Sequence, residues 1–307
     1  MAQTDSVTSV VPAATLTGVA LAMLAAIGFS AKAIFIKLAY RYGVDAVTLL
    51  ALRMGFAAPV FLAVAGWSGR NGNSRALDRQ EWGAVVVLGL LGYYLSSLLD
   101  FRGLEYISAG LERLILFLYP TVVVLLSALF FRQKITTRQV AALALSYAGI
   151  ALVFLHDLGS LRAGLWLGAA LVFASTLTYS LYLIGAGRYI RRIGSVRFTA
   201  YAMTVASAAT LAQFVLTHPL QALGQPAPVY GLAVAMAVLS TILPVFMLSS
   251  AIHRLGAGHT ALAGAVGPVA TLVLAYWFLG EQIGGLQIAG SALVLLGVLV
   301  ITTAKNK

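Results

Sequence analysis

"AGLERLILFLYPTVVVLLSALFFRQKITTRQVAALALSYAGIAL" occupies residues 109–152, and "AGHTALAGAVGPVATLVLAYWFLGEQIGGLQIAGSALVLLGVLV" occupies 257–300. The two segments align without a gap at an offset of 148. Ala109/Ala257, Gly110/Gly258, Pro120/Pro268, Phe130/Phe278, Ile135/Ile283, Gln139/Gln287 and Gly149/Gly297 coincide. Shared Ala and Leu carry little weight in so apolar a chain. A matched Pro, Gln and Phe with two matched Gly carry much more, and the chain reads as two related halves.

Each half is built for a bilayer. Of 307 residues, 61% are hydrophobic and 9% charged, with a mean hydropathy of +0.95. A soluble domain carries roughly 25% charged residues, so a single water-soluble core could not hide this much apolar surface. Ten apolar segments of spanning length, each about 20 residues, fall near 16–38, 46–67, 82–106, 108–131, 136–155, 163–187, 197–217, 229–252, 257–279 and 284–303. They are long and uninterrupted, which argues for helices that satisfy their own backbones rather than for strands. The expected fold is an all-α integral membrane protein of ten transmembrane helices. It divides into a tail at 1–15, a first five-helix repeat at 16–155, a second at 156–303 and a tail at 304–307. The longest polar loop, "SGRNGNSRALDRQE" (68–81), leaves no room for a soluble domain. The opening "MAQTDSVTSVVPAATLTG" lacks the basic region of a signal peptide, so the first apolar run is expected to span rather than be cleaved.

An odd number of helices per half turns the second copy upside down. The charges agree. Arg132, Lys134 and Arg138 follow the fourth segment, whereas the matching positions after the ninth are Gly280, Gln282 and Leu286. Positive residues collect in cytoplasmic loops. With a cytoplasmic N-terminus, the inner side takes Arg70, Arg75, Arg79, Arg132, Lys134, Arg138, Arg188, Arg191, Arg192, Arg197, Arg254, Lys305 and Lys307. The outer side takes Lys37, Arg41 and Arg162. Both termini are therefore expected in the cytoplasm, and the net charge of +11 orients the protein without calling for nucleic acid.

Inverted repeats within one chain are the architecture of secondary transporters. At "GFSAKAIFIKLAY" (28–40), "LLALRMGFAAP" (49–59), "LDFRGLEYISAGLERLILFLYPT" (99–121) and "GPVATLVLAYWFLGEQI" (267–283), followed by Gly290 and Gly297, the chain resembles the EamA-type transporters of the drug/metabolite transporter superfamily. The Gly-Glu pair after the ninth segment is typical of that family. Its counterpart after the fourth is Arg132-Gln133, a departure from the pattern. The resemblance implies a ten-helix inverted repeat that exports amino acids, other small metabolites or drugs.

Charges inside the helices lie in the first half: Lys32, Arg53, Asp100, Arg102, Glu105, Glu112 and Arg113. Helical rise places Lys32, Arg53, Asp100 and Glu112 roughly 6–11 Å below the outer edge, so four helices converge on one level. A lone charge inside a bilayer costs at least ~2.5 kcal/mol, and pairing reduces the cost. Lys32 is the expected partner of Glu112, and Asp100 that of Arg113. Arg102 and Glu105, three apart, are expected to satisfy each other near the surface. Such a layer reads either as a set of helix pins or as a site for a charged or zwitterionic solute, with one carboxylate exchanging protons.

Polar stripes extend the candidate site. Tyr93, Ser96, Ser97 and Asp100 share one face of the third segment, and Ser175, Thr178, Tyr179 and Tyr182 share one of the sixth. Tyr119 lies two turns from Glu112. The alternative is that Ser and Thr bond their own backbones and Tyr anchors at the interface. Pro120 and Pro268 are candidate hinges or static kinks. Ala142/Gly149 and Gly290/Gly297 mark close packing, within the chain or in a homodimer. His156, His218, His253 and His259 form no ligand cluster, cysteine is absent, and no phosphate loop, HExxH or GxSxG occurs. No cofactor, metal site or enzymatic activity is expected. The overall reading is a multi-pass carrier of the bacterial inner membrane working by alternating access, with protons as a candidate coupling ion. Amino acids come first among solutes, and organic anions or lipophilic cations second.

Overall fold

The computed structural model describes residues 13–70, 75–132, 134–158, 164–264 and 266–302. The tails 1–12 and 303–307 lie outside these residues, as do the side chains of His156, His253 and His259. Every regular element among the described residues is helical. In chain order the long ones are α1 (Ala13–Tyr40), α2 (Ala46–Arg70), α3 (Arg79–Leu104), α4 (Ala109–Phe131), α5 (Thr137–Leu158), α6 (Leu165–Ile193), α7 (Ser195–Thr217), α8 (227–264), α9 (Val266–Leu279) and α10 (Gly285–Thr302), with a short 3-10 turn at Leu220–Leu223 between α7 and α8. Eight described helices are long and apolar enough to cross a membrane, and Val266–Leu279 and Gly285–Val300 are shorter apolar helices. Helical backbone runs unbroken through Leu243–Gly264, where the sequence suggests a connection at 253–256.

Local signals explain the ends. Asp45 accepts the amides of Val47 and Thr48 at 2.9 and 3.0 Å, supplying the orphan donors at the start of α2. Asp78 and Glu81 close a capping box on α3, and Ser108 accepts the amide of Leu111 at 3.1 Å on α4. Gly194 joins α6 to α7 with φ +93°, a conformation that a side chain would strain. α4 breaks at Phe117–Leu118, two residues before Pro120, whose missing N–H interrupts the ladder there.

Packing has its own symmetry. α1 lies against α8 and α9, and α6 lies against α3 and α4. α2 pairs with α7, and α5 with α10. Exchanging each helix with the one five places later reproduces this set of neighbours. A wide, π-type turn at Leu90–Leu95 in α3 has a counterpart at Val238–Ile242 in α8, and the offset of 148 relates the two. Pro244 explains the second: its ring crowds the carbonyl of Ser240, which the wider turn moves aside. α5 and α10 meet backbone to backbone. A Cβ on Gly149 would stand 2.5 Å from the carbonyl oxygen of Gly290, and one on Gly297 would stand 2.6 Å from that of Ala142. The glycine pairs thus serve packing within the chain.

Polarity is distributed as a bilayer demands. Leu129, Leu216 and Trp277 stand 73%, 84% and 77% exposed on the outside, while Arg53, Asp100 and Glu112 are buried within. Outward apolar surface suits lipid, and inward charge needs partners.

Candidate functional site

α1, α2, α3 and α4 bring Lys32, Arg53, Asp100, Glu112 and Arg113 together toward the end of the bundle where α1 turns into α2 and α3 into α4. Each reaches that level for a local reason. Asp100 sits in the last turns of α3, Glu112 and Arg113 in the first turn and a half of α4, Lys32 in the last third of α1 and Arg53 in the first third of α2. The short 105–108 connection folds α4 back beside α3, which sets the two acids side by side.

The pairing differs from the sequence-based expectation. Nζ of Lys32 lies 2.5 Å from Oδ2 of Asp100 and donates a hydrogen bond to it. The same nitrogen stands 3.6 Å from Oε1 of Glu112. Lys32 thus bridges both acids, and Arg113 forms no ion pair with Asp100. The reason is azimuthal: Glu112 and Arg113 point about 100° apart, and Arg113 is turned toward α9. Its Nη2 lies 2.7 Å from where a Cβ on Gly267 would stand. The glycine leaves room for the guanidinium, and Ser30 holds the Gly267 carbonyl at 2.8 Å. Arg53 takes no acid partner among the described residues. Its guanidinium lies 5.3 Å from the centroid of Phe101, a cation–π contact. Arg102 and Glu105 meet at 4.0 Å near the surface, as expected.

Beside the charges lies an aromatic group. The hydroxyls of Tyr93 and Tyr182 share a hydrogen bond of 2.8 Å, with ring centroids 5.0 Å apart. Tyr179 stacks on Tyr182 at 5.6 Å and meets Tyr119 edge-on at 6.0 Å. Tyr182 fits directly over Gly92. Arg113, Tyr93, Tyr119 and Tyr179 are only partly buried, so each keeps a face that other side chains do not cover.

The small hydroxyls behave otherwise. Ser96 bonds the carbonyl of Gly92 at 2.5 Å, Ser175 that of Ser96 at 2.7 Å and Thr178 that of Ser175 at 2.9 Å. These residues tie backbones together, as Ser and Thr within helices commonly do. Ser97 is half-buried on α3 and forms no side-chain hydrogen bond among the described residues. Pro120 and Pro268 are buried near the starts of helical stretches in α4 and α9, so Pro120 marks a break and Pro268 lies beside the glycine that faces Arg113.

Sequence reasoning missed three contacts between the halves. Glu281, in the α9–α10 connection, accepts the amides of Ala109 and Gly110 at 3.0 and 3.4 Å, capping α4 next to the charge layer. His218, at the end of α7, lies 3.3 Å from Asp45. At the opposite end, Glu81 is 1% exposed and meets Arg75 at 2.6 Å and Arg192 at 3.9 Å. These line a cavity of about 570 Å³ with Trp67 and Arg197. An acid in a capping box was the available signal for Glu81. For Glu281 only its place in the Gly-Glu pair hinted at a role.

The EamA-like transporter family model matches the chain twice, over residues 16–155 and 166–303. The chain belongs to the EamA-like transporter family. Its relatives include the "Uncharacterized transporter YcbK" of Bacillus subtilis (strain 168), 30% identical over 87% of each chain. The "Probable terminal-alkyne amino-acid exporter" of Streptantibioticus cattleyicolor is 28% identical over 85% of this chain and 84% of its own length. A solved crystal structure covers 94% of both chains with a TM-score of 0.63 at 20% identity, a likeness of fold. As an EamA-like transporter, the protein is a multi-pass membrane protein that handles a small-molecule solute, and the buried charges belong to that setting.

Proposed function

We propose that the protein is a secondary carrier that exports small polar metabolites, amino acids first among them, across the bacterial inner membrane by alternating access. In this reading ten helices form inverted halves at 16–155 and 156–303 with both termini in the cytoplasm, and the charge layer faces the outer third. The observation that carries the proposal is the triad of Lys32, Asp100 and Glu112. Three ionisable groups on three helices meet inside the bundle, where charge is costly unless it serves a pathway. Arg53, Arg113 and the tyrosines Tyr93, Tyr119, Tyr179 and Tyr182 complete the site around an internal space, with Ser97 at its margin. Pro120 and Pro268 lie where rocking of the halves would bend α4 and α9. The amino-acid exporter among the relatives supports the solute class. Organic anions are the second reading, favoured by the excess of buried cations, and lipophilic cations fit the layer less well.

Counterflow in proteoliposomes tests this, using a panel of labelled amino acids with and without an imposed pH gradient. Accumulation of any member establishes a carrier, and dependence on the gradient implicates Asp100 or Glu112 in proton exchange. A flat response across the panel excludes amino acids and moves the search to the second class.

A further inference from the structure

The layer's charges do not balance. Lys32 is committed to the two acids, at 2.5 Å from Asp100 and 3.6 Å from Glu112. Arg53 and Arg113 remain. Nε and Nη1 of Arg53 and Nε of Arg113 are buried without hydrogen-bond partners among the described residues. Arg113 lies within Coulombic reach of Glu112 first and Asp100 after it, and Arg53 within that of Asp100, but neither forms an ion pair with a carboxylate among the described residues. The ring of Phe101 attracts the Arg53 cation through its face and offers no acceptor for the in-plane N–H groups.

Three cations thus face two acids, and one positive charge is left over. A proton on Glu112 would raise the surplus to two. Removing the counterion of a buried charge is strongly unfavourable, so the favoured occupant is one that brings a negative charge. A zwitterion would not suffice, because its ammonium restores the surplus that its carboxylate cancels. The orphaned N–H groups specify the chemistry further. A guanidinium presents a flat fork of donors that matches a carboxylate. Arg53 has two orphaned nitrogens against one on Arg113, and it has no acid of its own.

We propose that the site selects small carboxylates of net charge −1, dicarboxylic amino acids among them, over their neutral amides, and that Arg53 sets this preference by receiving the carboxylate. The proposal rests on the carrier reading. It goes beyond it by fixing the net charge of the solute and the residue that reads it. Asp100 and Glu112, held by Lys32, would then accept the solute's ammonium where it has one, while Arg113 takes a second carboxylate.

The test is counterflow with acid–amide pairs of nearly equal size: aspartate against asparagine, glutamate against glutamine, lactate against lactamide. In the wild type the acid of at least one pair should exchange about tenfold faster than its amide, because only the acid neutralises the buried surplus. Arg53→Gln should bring that ratio close to one. Arg53→Lys, which keeps the charge without the fork, should keep the preference and raise the half-saturating concentration of the acid. Amides exchanging as fast as acids would overturn the proposal and leave the carrier reading intact. No exchange by any member, in a protein with an unchanged melting temperature, would overturn this proposal together with the amino-acid reading. Should Arg53→Gln fail to fold, the wild-type ratio still decides the charge claim and Arg53→Lys decides the residue; an unaltered half-saturating concentration in that variant would remove Arg53 from the site.

Discussion

Nζ of Lys32 and Oδ2 of Asp100 meet at 2.5 Å although 68 positions separate them in the chain. Asp100 is 1% exposed and Glu112 fully buried, so the lysine is the common counterion of two carboxylates that water does not reach. Replacing it should cost far more than an exposed ion pair would. Lys32→Met is expected to lower stability by about 3–5 kcal/mol, read as a large fall in melting temperature in detergent. Adding Asp100→Asn should recover part of the loss. A single variant as stable as the wild type would mean that the acids are hydrated after all.

Glu112→Gln probes function more than folding. Both carboxylate oxygens of Glu112 lack a hydrogen-bond partner among the described residues, and its distance to Lys32 is the longer of the two. The amide keeps the shape, and Lys32 keeps Asp100. Neutralising Glu112 enlarges the surplus of buried positive charge, so stability should fall by about 1–3 kcal/mol, less than for Lys32→Met, while counterflow is largely lost. Retained transport with an intact response to a pH gradient would leave Glu112 a structural group. Loss of the folded protein would identify it as a helix clamp.

Much of this architecture is legible before any coordinates. Segment lengths near the bilayer thickness depend only on local composition, and the 109–152/257–300 alignment depends only on order. The convergence of charges at one depth is legible as well, since depth along a helix is a count of residues. Partner choice is not. It depends on rotation about the helix axis, where one residue is about 100°, so the sequence pairs Lys32 with Glu112 alone, whereas the lysine also, and more closely, holds Asp100. The hydroxyl stripes of α3 and α6 were visible as faces, but a face says nothing of whether Ser96 or Ser175 is already bonded to a carbonyl. The wide turn at Leu90–Leu95 has no proline or special residue to announce it. Glu281 lies in a connection whose target, the start of α4, is 172 positions away.

That contact makes the α9–α10 connection a brace on α4. A carboxylate on the first amides of a helix satisfies orphan donors and opposes the positive end of the helix dipole. Glu281→Gln should weaken the contact by about 0.5–1 kcal/mol, and Glu281→Ala should remove it, at about 1–2 kcal/mol. Because the chain has no cysteine, Ala109→Cys gives a clean reporter at the braced position. Its labelling by a membrane-impermeant maleimide should quicken when Glu281→Ala is added. An unchanged rate would show that the brace does not govern access at this end.

Two glycines should respond with opposite signs to the same substitution. In α5, a Cβ on Gly149 would stand 2.5 Å from the Gly290 carbonyl oxygen and 2.9 Å from the Val294 amide. Both are backbone atoms that cannot turn aside, so Gly149→Ala must part α5 from α10 and should cost about 1–3 kcal/mol. In α2, no described atom lies within 4 Å of a Cβ on Gly66, and Gly66→Ala should stabilise by about 0.5–1 kcal/mol through helix propensity. Melting both variants side by side checks the packing, since a shared sign would contradict the close approach of α5 and α10.

The start of α2 offers a prediction in pH. Asp45 is partly buried, which works against its charge, but the hydroxyl and amide of Thr48, the nearby His218 and the amide of Val47 together hold its carboxyl below the ordinary value of 3.8. A depressed carboxyl stabilises the fold fully above its unfolded value and loses that contribution as pH falls through the folded one. The cap should therefore be at full strength throughout pH 5–8, with Asp45→Ala costing about 1 kcal/mol there. Below about pH 4 the gap between wild type and variant should narrow as the carboxyl takes up its proton. Paired melts in a His218→Gln background remove the imidazole's own charge from the comparison. A gap that widens on acidification would mean that the protonated acid is the better cap, and that the amides of Val47 and Thr48 do not hold the carboxylate in the way their distances indicate.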